Sequence, residues 1–529
     1  MDAEEIVLRL LSAFTASEKN DFGCHMSRLS SGSVFKQIFK FPSFDTRAVI
    51  CVSYQKQSSS SVSMKSIIST LCVLALVGLS VPATAALVVP GTTGPGANSD
   101  GELSLTADTV IDLSKATTGT WDQDNTANQG NGVYDPTKWA VVFKYSHVTI
   151  GANAKVTFKN HVTRAPVVWL VSGSVIINGT LDLSGQSARD PWTSSTVGFA
   201  YHPLHRPLGG VPTEPGPGGF RGAAAYRGGN VLHGPGFGPG GGSARGDWRL
   251  GVSAGFGTDA TRYDYAGSNG GVKYGNPSLL PLIGGSGGAG NGSWDDWGRS
   301  GGAGGGAILI ACTNNISFGT GRLISHGGDG DRERNGAGSG GGIRLICANL
   351  VGSGELSARG GTNTSSIAGS GRIRLERVAN DNTLNITPAP SVVDLQDGST
   401  PIVWPPVGSP QAKVLSINTQ AAPADPKASF GAATPDVSLP LVSSADVVVE
   451  TVNVEEASTV IVRIAPRNGM TVNEAGLDGV VRPVTKVYAN EVTAAIKQIV
   501  STNPLVIHWE ATVPTLTGYS AVQARVIRP

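Results

Sequence analysis

Four short stretches decide the fold: VWLVS (168–172), ILIAC (308–312), IRLIC (343–347) and IRLER (373–377), which align without gaps. Each is rich in branched aliphatic residues and alternates in the manner of a strand. A strand sends successive side chains to opposite faces. Ile308, Ile343 and Ile373 then form one column, and Ile310, Leu345 and Leu375 a second. Cys312 and Cys347 extend the pattern, while Leu309, Arg344 and Arg374 fall on the other face. Apolar columns turned inward and polar ones turned outward are what a stack of parallel coils requires.

A second motif keeps step with the first. Ala154–Phe158 (AKVTF), Gly179–Leu183 (GTLDL), Gly321–Ser325 (GRLIS) and Gly354–Ala358 (GELSA) share one pattern of apolar positions. Recurrent units of roughly 20–35 residues, each with short strands, cannot bury an apolar face alone and must stack on their neighbours. The expected fold is all-β: a right-handed parallel β-helix with Gly-rich insertions, followed by a small immunoglobulin-like β-sandwich.

The insertions give the chain its unusual composition. Of 529 residues 72 are glycine, and 49 of these lie between residues 201 and 370. No strict G-x-y period is present, which excludes collagen. GGSGGAGNGSWDDWGRSGGAGGG (284–306), GGDGDRERNGAGSGGG (327–342) and GGTNTSSIAGSG (360–371) each precede one of the aligned strands. Leaving from one corner of the stack, they should form a separate layer. Recurrence in register with a core favours order over a flexible linker. A longer insertion, 187–283, carries many of the aromatic and histidine residues, and loops held on a rigid scaffold are where binding usually resides. Tyr201, His202, His205, Tyr226, His233 and Trp248 are its candidate binding residues.

Residues 64–85 read as a secretory signal peptide: Lys65, an apolar run from Ile67 to Val81, and Ala83-Thr84-Ala85 as the cleavage motif. The 63 residues before it fit a mis-assigned start, with translation beginning at Met64. The β-helix domain is expected over 86–400, a Pro-rich linker over 401–410 (PIVWPPVGSP) and the sandwich over 411–529. Strands there are expected at 413–417, 446–452, 458–464, 484–488, 505–511 and 521–527, with EVTAAIKQI (491–499) as one short helix. No later stretch is long enough for a membrane span. The near-balance of 40 basic and 39 acidic residues argues against a nucleic-acid partner. The expected location is extracellular or on the surface of a bacterial cell.

Motifs with chemical potential are sparse. Two G-x-S-x-G matches, at Ser253 and Ser286, lack the strand-to-helix context of a nucleophile elbow and arise readily at this glycine density. His202 and His205, three apart, are separated by Pro203, which breaks the helix a shared metal would need. Asp329, Asp331 and Glu333 are weak calcium candidates, interleaved with Arg332 and Arg334. No cofactor is otherwise implied. Cys312 and Cys347, one coil apart at about 4.8 Å, fall within the distance window of a disulfide. Stacked parallel side chains, however, often miss its dihedral angle. Arg344, Arg374 and Glu376 offer an outward charged column, read as solvent-facing ion pairing.

The stretches VVFKY, VTFKNH, APVVWLV, EPGPGGFRGAAAYRGG, PLIGGSGGAG and GGGAILIAC resemble uncharacterised Gly-rich secreted bacterial proteins with a predicted parallel β-helix, over about 135–380. That resemblance brings no catalytic residues with it. With no convergent acid–base set, the expected function is a secreted, non-catalytic structural or adhesive protein. Its loops would bind polysaccharide or another cell-surface component. The alternative is a β-helical carbohydrate-active enzyme, lyase or hydrolase, with its cleft in 187–283. A third option is a receptor-binding tip of the phage type.

Overall fold

The computed structural model describes residues 87–188, 212–224, 234–243, 251–261, 270–290, 300–330, 335–364, 366–427, 435–467, 471–485 and 490–529. The signal-peptide reading lies outside these residues. The described residues are all-β, with two 3-10 turns, Leu113–Lys115 and Thr126–Asn128, and no α-helix. No helix among them is long and apolar enough to cross a membrane.

From residue 101 to 394 the chain winds repeatedly through two mainly parallel sheets. The larger sheet takes Ala140–Ile150, Val167–Val171, Ala307–Cys312, Gly342–Gly352 and Arg372–Asn382 side by side. The other takes Thr109–Asp112, Lys155–Lys159, Thr180–Asp182, Arg322–Ile324, Glu355–Ser357 and Asn385–Thr387 in chain order. The inward columns are those expected: Ile308 pairs with Ile343 and Ile343 with Ile373, while Ile310, Leu345 and Leu375 align beside them. The second motif is also in register, Val156 to Leu181 to Leu323 to Leu356. These residues form one core, with Phe143, Tyr145 and Trp169 at its wide end.

One alignment is corrected. Ile308 pairs with Val167, not Val168, so the first repeat is VVWLV (167–171). Because side chains alternate with period two, a one-residue slip exchanges the faces. Val167, Trp169 and Val171 point into the core, and Val168 and Leu170 point away from it.

The outward face is the second correction, for it is covered rather than solvated. Leu87, Val89, Val142, Val168, Leu170, Leu309, Ile346 and Val403 make a second buried cluster there. Val403 belongs to the Pro-rich stretch expected as a linker, which instead lies as a lid on the sheet. A sheet buried on both faces favours continuous apolar strands, and AILIAC is buried throughout. Arg344 lies under the same cover, 2% exposed. Its guanidinium donates to the Glu376 carboxylate at 2.8–2.9 Å and to the Ile402 carbonyl at 2.6 Å. Arg374 reaches the same carboxylate at 3.1 Å. The solvent-facing ion pair expected there is a buried triad.

Along the chain between strands of the two sheets, the Gly-rich segments form an ordered layer that belongs to neither. In 301–306 the direction of hydrogen bonding rotates with each residue. Gly301 and Gly304 donate to Ala223 and Phe220; Gly302 and Gly305 donate to Gly336 and Ser339. Ala303 and Gly306 donate to Gln186 and Leu183. All six bonds are 2.8–3.0 Å. The three-residue period is that of the polyproline II helix, which makes no internal hydrogen bonds and turns every N–H and C=O outward. Segment 285–290 repeats the pattern. Gly285 and Gly288 donate to Gly305 and Gly302, and Gly287 and Gly290 donate to Phe237 and Gly234.

Glycine is required because the helices approach to backbone contact. A Cβ on Gly304 would stand 1.9 Å from the Gly285 carbonyl oxygen, and one on Gly301 2.0 Å from that of Gly288. Neither is the far end of a side chain that could swing aside.

After residue 410 the strands are antiparallel, in the order Gln420–Ala421, Gln411–Ile417, Ser444–Val452, Leu505–Pro514, Glu491–Thr502, Thr459–Pro466, Ser520–Ile527. The stretch expected as a short helix is the strand Glu491–Thr502. Its branched residues, Val492, Thr493, Ile496, Ile499 and Val500, lose rotamer freedom in a helix and suit a strand. The hairpin Thr471–Ala475/Val481–Thr485 stands apart as a two-stranded pair. Residues 84–529 form one compact unit. Arg463, its side chain 3% exposed, donates to the carbonyls of Gly236 and Gly242 and to Glu491. Arg525 donates to the Pro239 carbonyl, and Gly238 donates to Gln523.

Two outcomes follow for stability. Gly304→Ala should cost about 3 kcal/mol or more, since overpacking against a fixed backbone leaves no relief. Glu376→Ala should cost about 3–5 kcal/mol by stranding two guanidiniums, one of them fully buried. Chemical denaturation read by near-ultraviolet dichroism measures both; a loss under 1 kcal/mol would contradict the rigid layer or the buried triad respectively.

Candidate functional site

The topology of the layer fixes where its loops emerge. Segments 301–306, 335–341 and 366–371 run straight into strands of the larger sheet. Segments 183–188, 325–330 and 358–362 leave directly from strands of the other. One end of each of these six segments is thus tied to a sheet. Hydrogen-bond register shows 301–306 antiparallel to 183–186, 220–223 and 285–288, and parallel to 336–339. The free ends therefore gather at the opposite end of the layer, where they are joined laterally. Ala188 donates to Asp329, Gly330 to Thr362, and Gly290 to Gly234. Asn335 donates to Ser300, and Asn363 to Asn335.

The described residues that flank 189–211, 225–233, 244–250, 262–269, 291–299 and 331–334 lie at that end. Of the chain's 9 tryptophans and 10 tyrosines, 4 of each lie in these stretches: Trp192, Trp248, Trp294, Trp297, Tyr201, Tyr226, Tyr263 and Tyr265. The candidates Tyr201, His202, His205, Tyr226, His233 and Trp248 fall here, outside the described residues, as do Asp331 and Glu333. Asp329 is described: its carboxylate accepts from the Thr362 backbone N–H at 2.8 Å and from the Thr362 hydroxyl. That closes the layer's end. Among the described residues no group of three or more His, Cys, Asp or Glu is placed to hold a metal.

Ser253 and Ser286 are structural members of the layer. Ser286 is fully buried; its hydroxyl donates to the Tyr274 hydroxyl and accepts from the Gly240 N–H. The Ser253 hydroxyl accepts from the Ala337 N–H, standing in for a backbone carbonyl in the lattice. Cys312 and Cys347 are free thiols buried in the core, not a bridge. Burial pushes both thiols up, Cys347 to about 12, so neither has the thiolate character that reactivity needs.

Among the described residues a polar cleft of about 490 Å³ opens beside the layer. Its walls come from the loop after Lys155–Lys159, from the end of Thr180–Asp182 and from Glu214–Pro217. Asp182 is held from one side by Lys155 at 2.9 Å and from another by Ser184. Burial opposes its ionisation, but the Ser184 and Lys155 contacts outweigh it and hold the carboxyl below its ordinary range. Glu214 takes Arg164 at 3.2 Å and Arg221 at 2.7 Å. His161 stacks on Tyr134 at 4.2 Å, and its Nδ1 bonds the Thr163 hydroxyl. Burial lowers its pKa, so it stays neutral.

The cleft offers hydrogen-bond donors and acceptors in fixed directions. Both its carboxylates are engaged by cations, and Asp182 is held ionised, which suits hydroxyl recognition better than proton donation. Sequence reasoning missed it because Lys159 and His161, Asp182, and Glu214 come from three stretches far apart in the chain. One signal was available: Asp182 stands where neighbouring coils carry Ile324 and Ser357. No family model matches the chain, and neither the curated proteins nor the solved structures contain a match to it.

His161 and His326 both have pKa values lowered, chiefly by burial. A lowered folded value means the unfolded chain binds protons first, so stability is full above the ordinary histidine range, about 6.5. It is lost as pH falls through the folded values. The thermal midpoint should fall between pH 7 and about 5, and His326→Gln should flatten that slope; an unchanged slope in the variant would count against it.

Proposed function

We propose that the chain is a secreted, non-catalytic adhesive protein, with a parallel β-helix as scaffold and an immunoglobulin-like sandwich braced against it. In this reading the Gly-rich layer is a stiff platform, and its far end presents aromatic loops to glycan or other cell-surface material. The observation that carries it is that the described residues flanking six connecting stretches, whose sequences hold 8 of the chain's 19 Trp and Tyr residues, meet at one end of the layer. Aromatic side chains give large contact area at small entropic cost, and they dominate binding surfaces.

The scaffold also fits binding better than turnover. The carboxylates of the polar cleft around Asp182 are engaged by cations, and the G-x-S-x-G serines are buried. The secretory reading rests on the sequence 64–85 alone.

The test incubates the secreted chain with immobilised acidic and neutral polysaccharides and with whole bacterial cells. Retention is expected, with no release of reducing sugar or unsaturated uronate. The double substitution Tyr201→Ala, Trp248→Ala should weaken retention at least tenfold while leaving the β-type dichroism spectrum unchanged. Product release would replace this reading with a carbohydrate-active enzyme. Retention unaffected by the substitutions would move binding away from the loops.

A further inference from the structure

Where the Gly-rich layer meets the antiparallel sheet lies a second cavity, of about 650 Å³, distinct from the polar cleft and from the loop-bearing end. One wall is the strand Gln411–Ile417, with Val414 and Ile417, and another is Ser520–Ile527, with Val522 and Ala524. Trp139, Phe220 and Phe237 close it from the side of the layer, and Pro423, Pro426 and Pro435 from the loop between strands. A volume in the range of ligand sites, apolar walls and a position between structural bodies are the marks of a small-molecule pocket.

Its charge is one-sided. Arg164, Arg221, Lys413 and Lys427 line it against a single acidic residue, Asp436. Glu214, paired with Arg164 and Arg221, and Glu450, paired with Lys413, are not among the residues that line it. Among the described lining residues a ligand meets apolar surface, four cations and one carboxylate.

The wall also holds two strained residues. Trp139 has φ 46° and Arg164 φ 55°, a left-handed conformation that is uncommon for bulky side chains. They are tied together, the Trp139 indole donating to the Thr163 carbonyl at 3.2 Å. Strain of this kind persists only where surrounding structure enforces it, and it concentrates at ligand clamps.

We infer that this cavity binds an anionic amphiphile, an alkyl or acyl chain ending in a carboxylate or phosphate. The chain lies on the aromatic and proline walls, and the anionic head meets Arg164 and Lys413. Such a ligand could come free or as a bilayer lipid; the chemistry recognised is the same.

The test uses the full chain with dodecanoate and, as the uncharged probe, dodecanol, followed by calorimetry. Dodecanoate should bind at least tenfold more tightly than dodecanol. Ala412→Trp, which fills the cavity, should weaken it at least tenfold. Lys413→Gln, at a side chain 65% exposed, should do the same, with an unchanged dichroism spectrum as the folding control. Co-sedimentation with phosphatidylglycerol vesicles, competed by dodecanoate, would support the site and assign a bilayer source. Dodecanoate binding without co-sedimentation would support it with a free source. Equal binding of acid and alcohol would overturn the anionic head. Absence of binding, or binding unaffected by both substitutions, would overturn the site.

Discussion

The structure depends on lateral hydrogen bonding between extended helices that have none of their own. A polyproline II strand satisfies no N–H or C=O internally, so each residue must find a partner on a neighbouring strand or in water. Segment 301–306 finds three acceptor neighbours in rotation, and other segments donate back to its carbonyls, among them Gly216, Gly285, Gly288 and Gly328. Such packing works only where backbone meets backbone. The glycines are therefore a requirement of close approach, and the serines and alanines among them occupy positions whose side chains fit or join the lattice.

This constraint shapes the rest of the molecule. Six of the layer segments are covalently continuous with strands of the parallel sheets, so the stacking of those strands sets their spacing. Columns such as Ile308–Ile343–Ile373 fix that register from the apolar core. On one flank Arg463 and Arg525 donate to layer carbonyls, a polar counterpart of the apolar lid formed by Leu87, Val89 and Val403 on the sheet. The sequence after residue 410 is thus a brace, physically engaged with the layer.

Functionally the arrangement separates support from recognition. In the layer the side chains of Ser253, Ser286 and Asp329 are spent on neighbouring segments, which is why they are structural. Among the described residues, the surfaces open to a partner include the end of the layer, the polar cleft around Asp182 and the cavity beside Trp139 and Arg164.

Read alone, the sequence determined the all-β class, the apolar columns and the position of the Gly-rich insertions in step with them. Those features are local or periodic, and period-two alternation survives any tertiary context. It also determined that the insertions should be ordered, since they recur with the core. Tertiary structure alone decided the one-residue register of VVWLV, because several apolar residues in a row leave the inward face ambiguous until a neighbour is paired. It alone decided that Arg344 and Glu376 are buried, because the segments that cover them lie more than 25 residues away along the chain or beyond. It turned 491–502 into a strand by pairing it with Leu505–Pro514. And it gathered Lys159, Asp182 and Glu214 into one cleft, since residues from three stretches far apart in the chain share no spacing that a sequence can display.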